Sequence, residues 1–209
     1  MSEVGMSEVS TASLRVSLVQ DELVWHDPAA NRTAFARRLA ELEGETDLIV
    51  LPEMFTTGFT MEPEAVAEDW ETSATLGWMQ EQAAMLDAAL TGSVVMREDG
   101  QYFNRLLFVT PDGAVSHYDK RHLFRMAREH ESYAPGMQRV TLDYRGWRIL
   151  LQVCYDLRFF GFFSRNRGDY DGPYVANWLK PRRTAWLSLA EKTARHREPT
   201  VLCGGGGYY

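Results

Sequence analysis

Cys154, Glu53 and Lys120 are residues whose types and settings could do chemistry together. Cys154 ends the apolar run Ile149-Leu150-Leu151-Gln152-Val153, and Tyr155-Asp156-Leu157-Arg158 follow at once. A thiol at such a strand-to-turn junction can face a cleft with backbone N–H groups beside it, as an acyl nucleophile requires. Taken alone, a cysteine on an apolar strand equally suits a core thiol. A nucleophilic thiol also needs a base, first for its own proton and then for water. None of His26, His117, His122, His130 and His196 stands in an obvious motif with Cys154. A carboxylate could do the same work if burial raised its affinity for the proton. Glu53 follows the apolar run Leu48-Ile49-Val50-Leu51 and Pro52, which places it at the end of a strand, where α/β proteins build sites. By itself it could be a solvated strand-end glutamate. Lys120 follows a strand pattern and precedes the apolar pair Leu123-Phe124. A cation there could hold a tetrahedral oxyanion, although most lysines are surface residues.

The elements that must position these residues are legible from periodicity. Leu14, Val16 and Leu18 alternate as a strand, and Asp27-Pro28 starts a helix carrying Phe35, Leu39 and Leu42, with Gly44 as its stop. Residues 47–51 form a strand covered on both faces. Residues 54–62 are a loop around Gly58. From Pro63 to Leu90 the pattern is helical, in one or two pieces, with Trp78, Met79, Ala83, Leu86 and Leu90 inward. Strands follow at 92–96, 102–110 and 114–118, joined by turns at Asp99-Gly100 and Pro111-Asp112-Gly113. Residues 119–138 are a long polar loop of the kind that carries function. Strands at 139–144 and 147–153, a short helix at 158–166, a strand at 174–177, a helix at 182–196 and a strand at 200–203 complete the pattern. Strands and helices alternate and then strands cluster, which predicts α/β or α+β layering.

Composition bounds the function class. The chain has 209 residues, a net charge of −7 and no long basic block, which argues against a nucleic-acid partner. Its apolar stretches are too short to span a bilayer, so no membrane partner is expected, and no secretory leader is visible. Two cysteines, Cys154 and Cys203, make no disulfide scaffold and point to a reducing cytoplasm. A metal site from His122, His130 and acidic neighbours fits no metal-ligand spacing.

Three ordered segments carry a resemblance. Leu51-Pro52-Glu53-Met54-Phe55, Asp119-Lys120-Arg121-His122-Leu123-Phe124 and Val153-Cys154-Tyr155-Asp156-Leu157-Arg158-Phe159 resemble the base, lysine and nucleophile segments of the nitrilase-like carbon–nitrogen hydrolases. Glu129, with Tyr133 and Gly136 after it, is similar to the family's second glutamate motif, and Val175-Ala176-Asn177-Trp178 to a later segment. Glu53–Phe59, Tyr118–Ala127 and Arg145–Leu150 are similar to one branch, the bacterial omega-amidases of the YafV type. The resemblance covers roughly residues 13 to 203. It implies an αββα sandwich, no metal, no organic cofactor and a homodimer. It also implies an amidase acting on the terminal amide of a short dicarboxylic acid monoamide such as 2-oxoglutaramate. Cys154, Lys120 and Glu53 would be catalytic, with Glu129, Tyr155, Phe55 and Arg158 supporting or binding substrate. Arg125, Arg128 and Arg158 are the cations considered for the substrate's free carboxylate.

The match departs from the family near the nucleophile, at Pro199 and at the end. Phe160 stands where the family has proline after Arg-Phe, which relaxes a backbone restraint near the nucleophile. Gly204-Gly205-Gly206-Gly207-Tyr208-Tyr209 stand where family chains add strands. The expected organisation is a disordered leader at 1–12, a hydrolase domain at 13–203 lacking its last strands, and a glycine-rich tail at 204–209. The competing expectation is a truncated, non-catalytic relative serving as a structural or binding remnant.

Overall fold

The computed structural model describes residues 13–159 and the backbone of one further strand at 174–175. In chain order the elements are β1 (Val16–Leu18), α1 (Pro28–Leu39), β2 (Leu48–Val50), β3 (Glu68–Asp69), α2 (Ala74–Leu86), β4 (Ala89–Glu98), β5 (Gln101–Val109) and β6 (Val115–Asp119). The short helix α3 (Glu129–Ser132) and strands β7 (Thr141–Tyr144), β8 (Trp147–Leu150), β9 (Gln152–Val153) and β10 (Tyr174–Val175) follow.

The main sheet has the order β1-β2-β4-β5-β6, with β3 added beside β4. β1, β2 and β4 are parallel, and the crossovers between them carry α1 and α2; β5 and β6 return antiparallel through tight turns. The first of these turns is Asp99-Gly100, where both residues take positive φ (49° and 74°), matching the twist of a two-residue hairpin. α1 begins where the sequence predicts: the Asp27 carboxylate accepts the Ala30 N–H at 2.9 Å, and Pro28 occupies the first turn.

Side-chain alternation in the sheet builds a core on each of its faces. On one face Ile49, Leu51, Leu90, Val94, Leu107 and Val109 pack with Phe35, Leu39, Met79, Ala83 and Leu86 of the helices. On the other face Leu48, Val50, Ala89, Leu106, Phe108 and Tyr118 pack against Tyr144, Ile149, Leu150, Leu151 and Val153 of the β7–β9 segment. The result is a helix layer, a main sheet and a second β layer, an α/β fold. Each fully buried large apolar side chain contributes about 1.5–3 kcal/mol, so these two seams hold the layers in register.

Three expectations need correction. The helix predicted from Pro63 is α-helical over α2 alone, with single 3₁₀ turns at Pro63–Ala65 and Trp70–Thr72 before it, and Leu90 belongs to β4 rather than to a helix face. Asp87 takes the left-handed conformation and ends the helix, and the chain enters the sheet two residues later. The strand expected at 147–153 is divided at Leu151 into β8, which pairs with β7, and β9, which pairs with β10, although the Leu151 N–H still bonds Val140 O at the next rung of the β7–β8 ladder. The third concerns residues 119–138, which are not wholly loop, because α3 interrupts them. The leader at 1–12, the helices expected at 158–166 and 182–196, the strand at 200–203 and the tail at 204–209 lie outside the described residues, apart from 158–159. Those two close a short helical turn after Cys154.

Candidate active site

Three chain segments end on the same side of the main sheet and meet there. β2 leads through Leu51-Pro52 to Glu53. The next residue, Met54, is left-handed (φ 47°) and is held by Ser93, whose hydroxyl accepts the Met54 N–H at 2.8 Å. β6 leads to Lys120, whose backbone N–H bonds Asn104 O on β5 at 3.0 Å. β9 leads to Cys154, which is also left-handed (φ 44°). A non-glycine residue at positive φ carries strain, and such strain concentrates at functional positions.

Glu53, Lys120 and Glu129 are fully buried, and Cys154 is 7% exposed. Lys120 Nζ donates to Glu53 Oε1 at 2.8 Å and to Glu129 Oε1 and Oε2 at 3.1 and 2.9 Å. Glu129 comes from the start of α3, and its Oε2 also accepts the Phe124 N–H at 2.6 Å. A lysine between two carboxylates holds its proton tightly: Glu129 and Glu53 raise its proton affinity well above the ordinary value, against burial, which alone would lower it. Burial pushes the Glu129 carboxyl up, while Lys120, the Phe124 N–H and Asn104 hold it down. Burial likewise pushes the Cys154 thiol well up, and the Glu53 charge and a hydrogen bond to Glu53 add to this, with Lys120 opposing. Burial and Glu53 therefore favour the thiol form of Cys154, and Lys120 Nζ bonds both carboxyl groups.

Two residues that sequence reasoning left without a role complete the frame. Asp156, fully buried, accepts four hydrogen bonds. They come from Val153 N–H at 3.0 Å, Tyr118 O–H at 2.8 Å, His122 N–H at 3.0 Å and His122 Nδ1 at 2.7 Å. It ties the nucleophile turn to the residues on both sides of Lys120. Asn104, also fully buried, donates from one amide nitrogen to Glu53 Oε1 at 2.8 Å and Glu129 Oε1 at 3.1 Å. Its signal in the sequence was a polar residue in register with the inward-facing Leu106 and Phe108.

The remaining expected residues are placed unevenly. Tyr155 is half-buried and contacts Phe124, with ring centroids 5.1 Å apart, and Arg158 is exposed with its guanidinium 5.7 Å from the Tyr155 ring. Phe55, expected beside the site, belongs to the helix-facing core instead, against Phe35 at 5.5 Å and Trp78 at 5.9 Å. The left-handed turn at Met54 rotates it away from Glu53. His122 is engaged by Asp156, and among the described residues no group of three or more His, Cys, Asp or Glu could hold a metal ion. Arg128 pairs with Glu131 at the surface. Among the described residues no helix is long and apolar enough to cross a membrane.

A buried thiol, carboxyl group and lysine meet at the ends of three strands, the groups that thiol-dependent acyl transfer requires. The chain belongs to the carbon–nitrogen hydrolase family, whose model matches residues 15–162. It is 47% identical over 193 residues to the omega-amidase YafV of Escherichia coli K12, covering 92% of this chain and 73% of that protein. It is 24% identical over 178 residues to the 2-oxoglutaramate amidase of Bacillus subtilis, covering 83% of this chain and 69% of that one. Among solved structures, a CN-hydrolase superfamily protein of Xanthomonas campestris with an arsenic adduct in its active site is 45% identical. It superposes with a TM-score of 0.87 over 93% of this chain and 76% of that one.

Proposed function

We propose that this carbon–nitrogen hydrolase is an omega-amidase. It would cleave the terminal amide of a short dicarboxylic acid monoamide, such as 2-oxoglutaramate, to acid and ammonia. The observation that carries the reading is the buried contact set of Cys154, Glu53 and Lys120. In the reaction the Cys154 sulfur attacks the amide carbonyl as its proton passes to Glu53. The oxyanion forms against Lys120 and the backbone N–H of Tyr155. Glu53 then returns the proton to the departing nitrogen, the carbon–nitrogen bond breaks, and ammonia leaves a thioester on Cys154. Water, deprotonated by Glu53, attacks the thioester; the acid leaves and the thiol is restored. Glu129 holds Lys120 Nζ through both of its carboxylate oxygens.

The substrate's distal carboxylate needs a cation. Of the three arginines considered, Arg158 is assigned here, because it packs on Tyr155, next to the nucleophile. The resemblance that names the substrate also carries the homodimer, which the mass in solution tests. The non-catalytic alternative is not favoured, given 47% identity to a curated amidase and all three reactive groups in contact. The deciding experiment is ammonia release from 2-oxoglutaramate by the purified chain and its Cys154→Ala variant. Release by the first and none by the second is expected. A well-folded wild-type protein that releases no ammonia from any short monoamide refutes the proposal.

A further inference from the structure

The polar groups at the ends of β2, β6 and α3 share a partner on β5 that the reaction scheme above does not use. Asn104 is central to that strand, paired opposite Val95 of β4, and its side chain is wholly buried. One amide nitrogen reaches both carboxylates on their Oε1 atoms, and those same two atoms also accept from Lys120 Nζ. Its backbone carbonyl accepts the Lys120 N–H. Asn104 Oδ1 has no hydrogen-bond partner within the described residues, so the side chain is oriented by its donors alone.

We propose that Asn104 is a positioning residue that clamps Glu53 and Glu129 on either side of Lys120 and directs the rest of the Glu53 carboxylate to the Cys154 thiol. The inference rests on the amidase reading for its kinetic arm. Its physical basis is that two carboxylates brought to one ammonium repel each other. Without a further donor they relieve the repulsion by sharing a proton or moving apart. A neutral amide donates to both without adding charge. The Asn104 hydrogen bond favours the ionised form of Glu129, opposing burial. Lys120, Glu53, Cys154 and Tyr133 are the other titratable groups that act on this cluster.

The test compares the wild-type chain with Asn104→Ala, which removes both donors, and Asn104→Gln, which keeps the amide on a longer arm. Circular dichroism and thermal midpoints establish folding. The readouts are kcat and KM for ammonia release against pH, and a carbon-13 NMR titration of the glutamate carboxyls. The latter is assigned with Glu53→Gln and Glu129→Gln and needs no substrate. Asn104→Ala should lower kcat by about tenfold or more with KM changed less than about threefold, since the loss of a hydrogen bond to a charged group is worth about that much. The acid limb of kcat/KM and the Glu129 midpoint should both move up by about one pH unit, and Asn104→Gln should recover at least half of the shift. A folded Asn104→Ala with limb and midpoint in place overturns the proposal, as does an equal shift in Asn104→Gln. Should Asn104→Ala fail to fold, Asn104→Ser, whose short hydroxyl cannot span both carboxylates, carries the same expectations. If the wild type releases no ammonia, the amidase reading fails on its own while the NMR titration still decides the role of Asn104.

Discussion

Removing the Asp156 carboxylate should loosen the nucleophile turn more than it empties space. Asp156→Ala strips the acceptor from Val153 N–H, His122 N–H, Tyr118 O–H and His122 Nδ1 at a point with no solvent exposure. The Tyr118 hydroxyl can rotate, and the half-buried His122 ring can turn toward water. The two backbone N–H groups have no such escape. Each buried donor left unpaired costs about 1–3 kcal/mol, so the pair costs about 2–6 kcal/mol. That is a large share of the ~5–15 kcal/mol by which a domain is stable. For a chain of this size about 1 kcal/mol moves Tm by roughly 2–4 °C, so a loss near 3 kcal/mol should lower Tm by about 6–12 °C. Cys154 keeps its left-handed φ only because its turn is held, so ammonia release should fall further than the unfolded fraction at the assay temperature explains. Asp156→Asn retains one acceptor oxygen and should lose about half as much. Differential scanning calorimetry and ammonia release at 25 °C measure both. An Asp156→Ala protein with Tm within 2 °C of wild type and unchanged kcat would refute the idea that this carboxylate holds the site together.

Lys120→Met should abolish ammonia release and cost about 3–5 kcal/mol, because it leaves Glu53 and Glu129 buried together without a counter-charge. The loss should shrink as pH falls, since the folded variant then binds a proton the unfolded chain does not, and urea titrations at two pH values read this out. Gly136→Ala should displace the end of β6. A Cβ there would lie 2.0 Å from Asp119 O, and the Gly136 N–H bonds Lys120 O at 3.1 Å, so kcat and Tm should fall together. Asp47 accepts from Arg15 and Arg145, and the Arg15 hydrogen bond chiefly holds its carboxyl below the ordinary 3.8. Its contribution to stability is therefore complete above that value and is lost as pH falls through the lower folded value. Asp47→Asn should remove this part of the acid-unfolding profile, as followed by circular dichroism.

Local sequence determined the parts whose causes are local. Asp27-Pro28 starts α1 because one carboxylate and one fixed φ act within a single turn. Asp99-Gly100 reverses the chain because both residues tolerate positive φ. The order of Glu53, Lys120 and Cys154 in matching segments was legible because each ends a strand with its own apolar pattern. Their convergence was not legible from spacing, since 67 residues separate Glu53 from Lys120, and only parallel pairing of β2 with β4 and the return through β5 and β6 bring them to 2.8 Å. Phe55 shows the limit: it lies in the same motif as Glu53, yet the left-handed Met54 turns it into the helix-facing core. Asn104 and Asp156 show the reverse. Each is an unremarkable polar residue in the sequence. The tertiary structure alone gives them partners, because a buried donor or acceptor acquires its meaning from the strand opposite and not from its neighbours in the chain.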